Sequence, residues 1–163
     1  MIERVIMEHS AKYTAQQIAH WFIWRNKIAE KDGADPITLM KLLKLMYYAE
    51  SASLAISHAS LFPDPIEAWT HGPVIPSVWK QYHANPYKLD LLPEEAEKLS
   101  VIDHSDIQVL KDVFETFGQY SAWGLRNLTH NETPWLEAVN GGMAQSQPIS
   151  RVSMEKYFAE HYL

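Results

Sequence analysis

The chain has 163 residues, 47% hydrophobic and 21% charged, with 14 Lys+Arg against 20 Asp+Glu, a formal charge of −6 and no cysteine. That balance fits one globular domain large enough to bury a core of its own, and it excludes a disordered chain. The absent cysteine rules out disulfides, thiolate catalysis and Cys-ligated zinc and is compatible with a reducing compartment, while the acidic surplus, with no Lys/Arg run to offset it, argues against binding along a phosphate backbone.

Met1-Ile2-Glu3-Arg4-Val5-Ile6 lacks the apolar core of a signal peptide, and no run approaches the roughly eighteen apolar residues of a membrane span. The expected location is the cytoplasm, with no membrane partner. Residues 1–13 read as an N-terminal extension, too short for a helix-turn-helix appendage, so no nucleic-acid partner is expected. Thr14-Ala15-Gln16-Gln17 has the form of a capping box. Ile18, Trp21, Phe22 and Ile28 follow at helical spacing, predicting an amphipathic helix to about Glu30. Lys31 to Pro36 turns the chain into a second helix, capped by Thr38, with Ile37 placed to staple onto Leu42. Apolar residues at 39, 42, 43 and 45–49 make more than one stripe, so this helix is expected to be enclosed by others. Lys41, Lys44 and Tyr48 share one edge of it.

Ser57 to Pro65 reads as loop. Glu67-Ala68-Trp69-Thr70-His71-Gly72-Pro73-Val74, set among prolines, predicts a turn or short β-hairpin. A short helix is expected from Pro76, with Val78, Trp79 and Tyr82 on one side and Asn85-Pro86 as its stop. A helical turn at Pro93-Glu94-Glu95 follows, then a helix capped by Asp103 or Ser105. Its apolar face is Ile107, Leu110, Val113, Phe114 and Phe117, and it ends at Gly118. Ser121 caps a helix to Leu128, broken by Thr129-His130-Asn131-Glu132. Thr133 is expected to cap the next, with Pro134 in its first turn and Trp135, Leu136 and Val139 turned inward. Gly141-Gly142 ends it, and Gly141 to Pro148 reads as mobile. A last helix, about Arg151 to His161, returns Val152, Tyr157 and Phe158 to the body. The expected architecture is a compact, mainly α-helical single domain with at most one small β-hairpin near Ile66–Val74.

Glu67, Trp69 and His71 alternate, and a carboxylate beside an imidazole can do acid–base work. The preferred reading is structural: Glu67 paired with Lys41 or Lys44, Trp69 filling the core, Gly72-Pro73 setting the turn. His71, His130, Glu67 and Glu132 are the residues a metal site or a small hydrolase or transferase would use. No ligand spacing or nucleophile motif supports either, and His130 and Glu132 are expected to bond helix ends instead. No cofactor is expected. Trp24, Trp79, Tyr82 and Tyr87 are the aromatics expected to be partly exposed, and Trp24, Trp79, Tyr82 and Arg126 are the candidate anchors for a protein partner.

Three segments carry a resemblance. They are Lys41-Leu42-Leu43-Lys44-Leu45-Met46-Tyr47-Tyr48-Ala49, Glu67-Ala68-Trp69-Thr70-His71-Gly72-Pro73-Val74, and Leu128-Thr129-His130-Asn131-Glu132-Thr133-Pro134-Trp135. In this order they resemble the Panacea domain of SocA-like antitoxins from bacterial toxin–antitoxin systems, over about residues 14–163. The resemblance implies a non-catalytic protein whose partner is a cognate toxin, which it occludes or hands to a host protease. It also implies that the motif residues Lys41, Lys44, Tyr48, Glu67, Trp69, His71, Gly72, Pro73, Thr129, His130, Glu132, Pro134 and Trp135 are chiefly structural.

Overall fold

The organising element is a helix with no solvent-facing side. In the computed structural model, which describes residues 11–140 and 146–163, helix α1 (Ala15–Glu30) precedes helix α2 (Leu39–Ser57). Both begin where the sequence places their caps. Thr14 Oγ1 accepts the Gln17 N–H at 3.1 Å while Gln17 Oε1 accepts the Thr14 N–H at 2.9 Å, and Thr38 Oγ1 accepts from Lys41 N at 3.3 Å. Residues 42–54 of α2 are all buried, Lys44 and Glu50 included, as the wide apolar pattern requires. At its end His58 turns left-handed, φ 54°, and its N–H closes onto the Leu54 carbonyl.

The other described elements pack on this helix or on those that cover it. A hairpin of β1 (Glu67–Trp69) and β2 (Gly72–Val74) is antiparallel, with Glu67 opposite Val74 and Trp69 opposite Gly72. The residues Gln147–Pro148 form β3 on the other side of β1, a third strand beyond the expected hairpin. Pro73 and Pro148 both sit on edge strands, where a missing N–H costs no ladder bond. Helices α3 (Pro76–Tyr82), α4 (Pro93–Glu97) with a 3-10 turn (Lys98–Val101), α5 (His104–Phe117), α6 (Ala122–His130), α7 (Thr133–Val139) and α8 (Arg151–Tyr162) follow; α4 and the 3-10 turn pack on α1, and α7 packs on α8 and β1. Helices α5, α6 and α8 all pack on α2. Tyr48 of α2 stacks on Phe117 of α5 with centroids 3.9 Å apart and planes 4° from parallel, and Tyr162 of α8 meets both rings edge-on.

The structure departs from expectation at several helix ends and faces. Helix α6 continues to His130, and the cap of α7 is Glu132, with Thr133 inside the helix. Ile28, Leu136 and Val152 are exposed; Met154, not Val152, joins Phe158 in the core. Single apolar residues on a wet face are ordinary, which is why a helical spacing of three or four admits one too many. Asp103 occupies the cap position of α5 without a side-chain bond. Helix α7 closes at Asn140, which is left-handed at φ 48°, while the expected Gly141-Gly142 stop and most of the expected mobile stretch lie outside the described residues.

The closing clasp of the fold is ionic. Glu50 is fully buried. Its Oε1 accepts the Leu61 N–H at 2.7 Å, and its Oε2 accepts Arg151 Nε at 2.7 Å. Arg151 Nη2 donates to the carbonyls of Phe62 at 3.1 Å and Asp64 at 2.7 Å. One guanidinium thus joins α2, the loop after it and the first turn of α8. Arg151→Met, which keeps the stem but leaves Glu50 and two carbonyls without their donor, is expected to cost about 3–5 kcal/mol. A urea titration would read this as a lower midpoint at unchanged slope.

A candidate functional site around the hairpin turn

Gly72 fixes how closely the hairpin approaches α2. Its φ is +112°, which an L side chain resists. A Cβ there would lie 2.9 Å from Lys44 Cε and 3.0 Å from Thr129 Oγ1. Glycine is therefore required both by the backbone and by the closeness of two neighbours, one on α2 and one on α6. Thr129 is itself held by a 3.0 Å bond from Oγ1 to the Arg126 carbonyl.

This contact brings the three sequence segments to one place. Lys44 comes from α2, Trp69 and His71 from the hairpin, and His130 and Trp135 from α6 and α7. Trp135 Nε1 donates to the Trp69 carbonyl at 3.1 Å, and the His130 ring stacks on Trp135 with centroids 3.9 Å apart. Trp69 Nε1 donates to Glu67 Oε1 at 2.9 Å. Arg126 Nε donates to His71 Nδ1 at 3.2 Å and the guanidinium lies 4.4 Å from the Trp123 ring centre.

Beside the hairpin opens a groove of about 610 Å³. Leu39, Leu43, Val74 and the rings of Trp69, Trp79 and Tyr87 supply apolar walls, Lys44 reaches it from α2, and His71 stands at its edge. The charges around it are positive. Lys44 is 1% exposed, and no acceptor or carboxylate among the described residues bonds its ammonium. Burial, and then the nearby Arg126, hold its pKa down to about 7. His130 is pushed below the ordinary imidazole range by burial first, then by Arg126, Lys44 and His71, against a backbone bond to Thr70 that favours the charged form. Its Nε2 is buried without a partner among the described residues.

A second cluster lies where the end of the last motif segment meets α2 and α8. Glu132 is 1% exposed and accepts the hydroxyls of Tyr48 at 2.9 Å, Tyr47 at 3.4 Å and Tyr162 at 2.5 Å. Burial raises its pKa and the three hydroxyls oppose the rise. The same contact drives all three phenols upward, burial being the first cause for each. The arrangement is a clasp around a carboxylate that is itself shut off from solvent, with Tyr162 on its partly exposed side.

Several expectations change as a result. Glu67 pairs with neither lysine: Trp69 Nε1 holds it, Lys41 Nζ donates to the Gly118 carbonyl at 2.5 Å, and Lys44 faces the groove. Trp69 is a wall of the groove and only partly buried. Glu132 bonds tyrosines, where a free helix end was expected, and His130 packs on Trp135. Glu67, His71, His130 and Glu132 do not form one cluster: His71 and His130 come near each other, Glu67 is held by Trp69 and Glu132 by tyrosines, and no group of three or more His, Cys, Asp or Glu among the described residues is placed to hold a metal. Trp79 lines the groove and Arg126 stands by its rim through His71. Trp24, 38% exposed, is on α1 beside Trp21, and Tyr82 packs half-buried against the core, pushed up to about 12 mainly by burial. Trp123, exposed under Arg126, was missed; its place three residues before Arg126 on one helix was the available signal. Tyr162 was missed too, and nothing local marks it.

A family model described as the antitoxin SocA-like Panacea domain matches residues 42–136. That span holds Lys44, the whole hairpin and the segment from Thr129 to Trp135. No curated protein and no solved structure matches the chain. Among the described residues no helix is long and apolar enough to cross a membrane.

Two substitutions probe the buried charges. The unfolded chain holds more protons than the folded one between about 7 and the ordinary lysine value of 10.5, so the Lys44 contribution makes stability rise with pH across that window. Lys44→Met is expected to raise the melting temperature at pH 7 and to flatten that rise, as calorimetry at pH 7, 8.5 and 10 would show. Glu132→Ala strands three hydroxyls around a hole and is expected to lower stability by about 3–5 kcal/mol. Chemical denaturation would measure it, and Glu132→Gln, which keeps an acceptor, should lose less.

Proposed function

Because the chain belongs to the SocA-like antitoxin family defined by the Panacea domain, we propose that it neutralises a protein toxin by direct, non-catalytic contact. The domain is proposed to extend beyond the matched span, over residues 14–163, since α1 and α8 are needed to enclose α2. The observation that carries the reading is the family match, whose span contains every segment that meets at the hairpin turn. Neutralisation requires only a surface that covers the toxin's working face, and a standard interface buries about 1,600 Å² in total.

The proposed contact face is the rim of the groove. Trp79 and Tyr87 border it, and Arg126 lies over the exposed Trp123 beside His71. Arginine and large aromatics are the residue types in which interface energy concentrates. Trp24 and Tyr82, the other two candidate anchors, do not line this groove and are proposed as secondary contacts. Whether the bound toxin is merely occluded or delivered to a protease is a separate step that the same contact serves.

Co-expression with the toxin-like product of a neighbouring gene is expected to restore growth and to give a complex on size exclusion. Trp79→Ala or Arg126→Ala should weaken that complex by at least about 30-fold, corresponding to an anchor worth ~2 kcal/mol or more, and Trp24→Ala by less. Rescue without any complex, even in a strain lacking its cytoplasmic proteases, would defeat the direct-contact mechanism; rescue that vanishes in such a strain would identify the protein as a proteolytic adaptor.

A further inference from the structure

Lys44 is the one buried charge in this site that the rest of the protein leaves uncompensated among the described residues. Glu50 has Arg151 and a backbone N–H, and Glu132 has three hydroxyls. Lys44 lines the groove, and the end of its side chain lies against Gly72, with Cε 2.9 Å and Nζ 3.3 Å from where a Cβ there would stand and Thr129 Oγ1 close by. The other ionisable groups around it add no negative charge. Arg126 is a second cation, His71 and His130 are imidazoles, and the hairpin's carboxylate, Glu67, accepts from Trp69 Nε1 and is not among the residues lining the groove. A cation at the floor, a cation near the rim and flat rings for walls describe the complement of an anion on a flat apolar body. The space fits as well: about 610 Å³ lies within the usual range for small-molecule sites, roughly 300–1,000 Å³.

We propose that this groove binds a small organic anion, a carboxylate or phosphate monoester carried on an aromatic or other flat apolar group, with its charge at Lys44 Nζ and its body between Trp69, Trp79 and Tyr87. The ammonium supplies a point charge, suited to either headgroup. The walls supply stacking and excluded water, in which the ionic contact strengthens. An anion there also supplies the partner that a buried ammonium otherwise lacks. This inference concerns a ligand and stands apart from toxin binding, although a ligand in the groove would share Trp79 and Tyr87 with the proposed contact face.

The test uses the full chain and three probes of one shape: 2-naphthoate, 2-naphthyl phosphate and the neutral 2-naphthamide. Quenching of tryptophan fluorescence and calorimetry at pH 8 would give the affinities. At least one anion should bind tenfold or more tightly than the amide, and the tighter of the two names the headgroup. Binding at pH 8 should draw a proton from the buffer, since the free lysine is largely neutral there, and the heat should depend on buffer ionisation accordingly. Lys44→Met, expected to fold, should erase both the preference for anion and the proton uptake while leaving the amide's affinity within about twofold. Equal binding of anion and amide, no binding of any probe at millimolar concentration, or an anion preference that survives Lys44→Met would each overturn the proposal.

Discussion

The fold rests on one constraint: α2 has no wet face, so every polar group on it must be satisfied from within the protein. Ser51 bonds the Tyr47 carbonyl and Ser53 the Ala59 carbonyl, both at short range. Glu50 takes one donor from the Leu61 N–H in the loop that follows and the other from Arg151, brought from far along the chain, whose guanidinium also donates to two carbonyls of that loop. Tyr47 and Tyr48 are answered by Glu132, which is then shared with Tyr162. The position of α8 is thus fixed at both ends by polar partners of α2, and its apolar residues Met154 and Phe158 pack between them.

Against that background the hairpin side of α2 has a different character. The two buried carboxylates are closed away and engaged, whereas the buried amine borders a cavity. The chain as a whole is acidic, at −6, yet the charges gathered at the hairpin turn are Lys44 and Arg126 with two imidazoles. Total charge governs long-range attraction and solubility, while the sign of a site is decided by which few side chains the fold converges. A reading from composition alone would have assigned this protein cationic or neutral partners.

What could be read in the sequence was whatever local chemistry decides. The capping box at Thr14, proline at a first helical turn and an apolar girdle around α2 are each settled within a few residues, and each has its counterpart in the structure. The convergence of three separated segments was legible only as a resemblance, because nothing in their spacing says that they meet. The partners of buried charges were not legible. Glu67 lies near lysines in any plausible reading of the hairpin, but the nearest donor proved to be Trp69, two residues away on the same face. The Glu132 clasp joins side chains 84 and 30 residues apart, and a tyrosine near the chain end looks like any other amphipathic residue until it is seen in place. Leu136 and Val152 were misplaced for the opposite reason: helical periodicity allowed either face.

The distance between Glu50 and Arg151 has a consequence during synthesis. The helix that needs enclosure on every side is made early, and its ionic partner follows 101 residues later. At about 5–20 residues per second, the interval is roughly 5–20 s. For that time a nascent chain carries an apolar helix with a carboxylate and an amine on it, and neither the clasp of α8 nor the Glu132 tyrosine cluster can exist. Folding to the final state is therefore delayed until the last helix emerges from the ribosome. Until then the growing polypeptide presents exposed apolar surface of the kind that makes incomplete chains prone to aggregate.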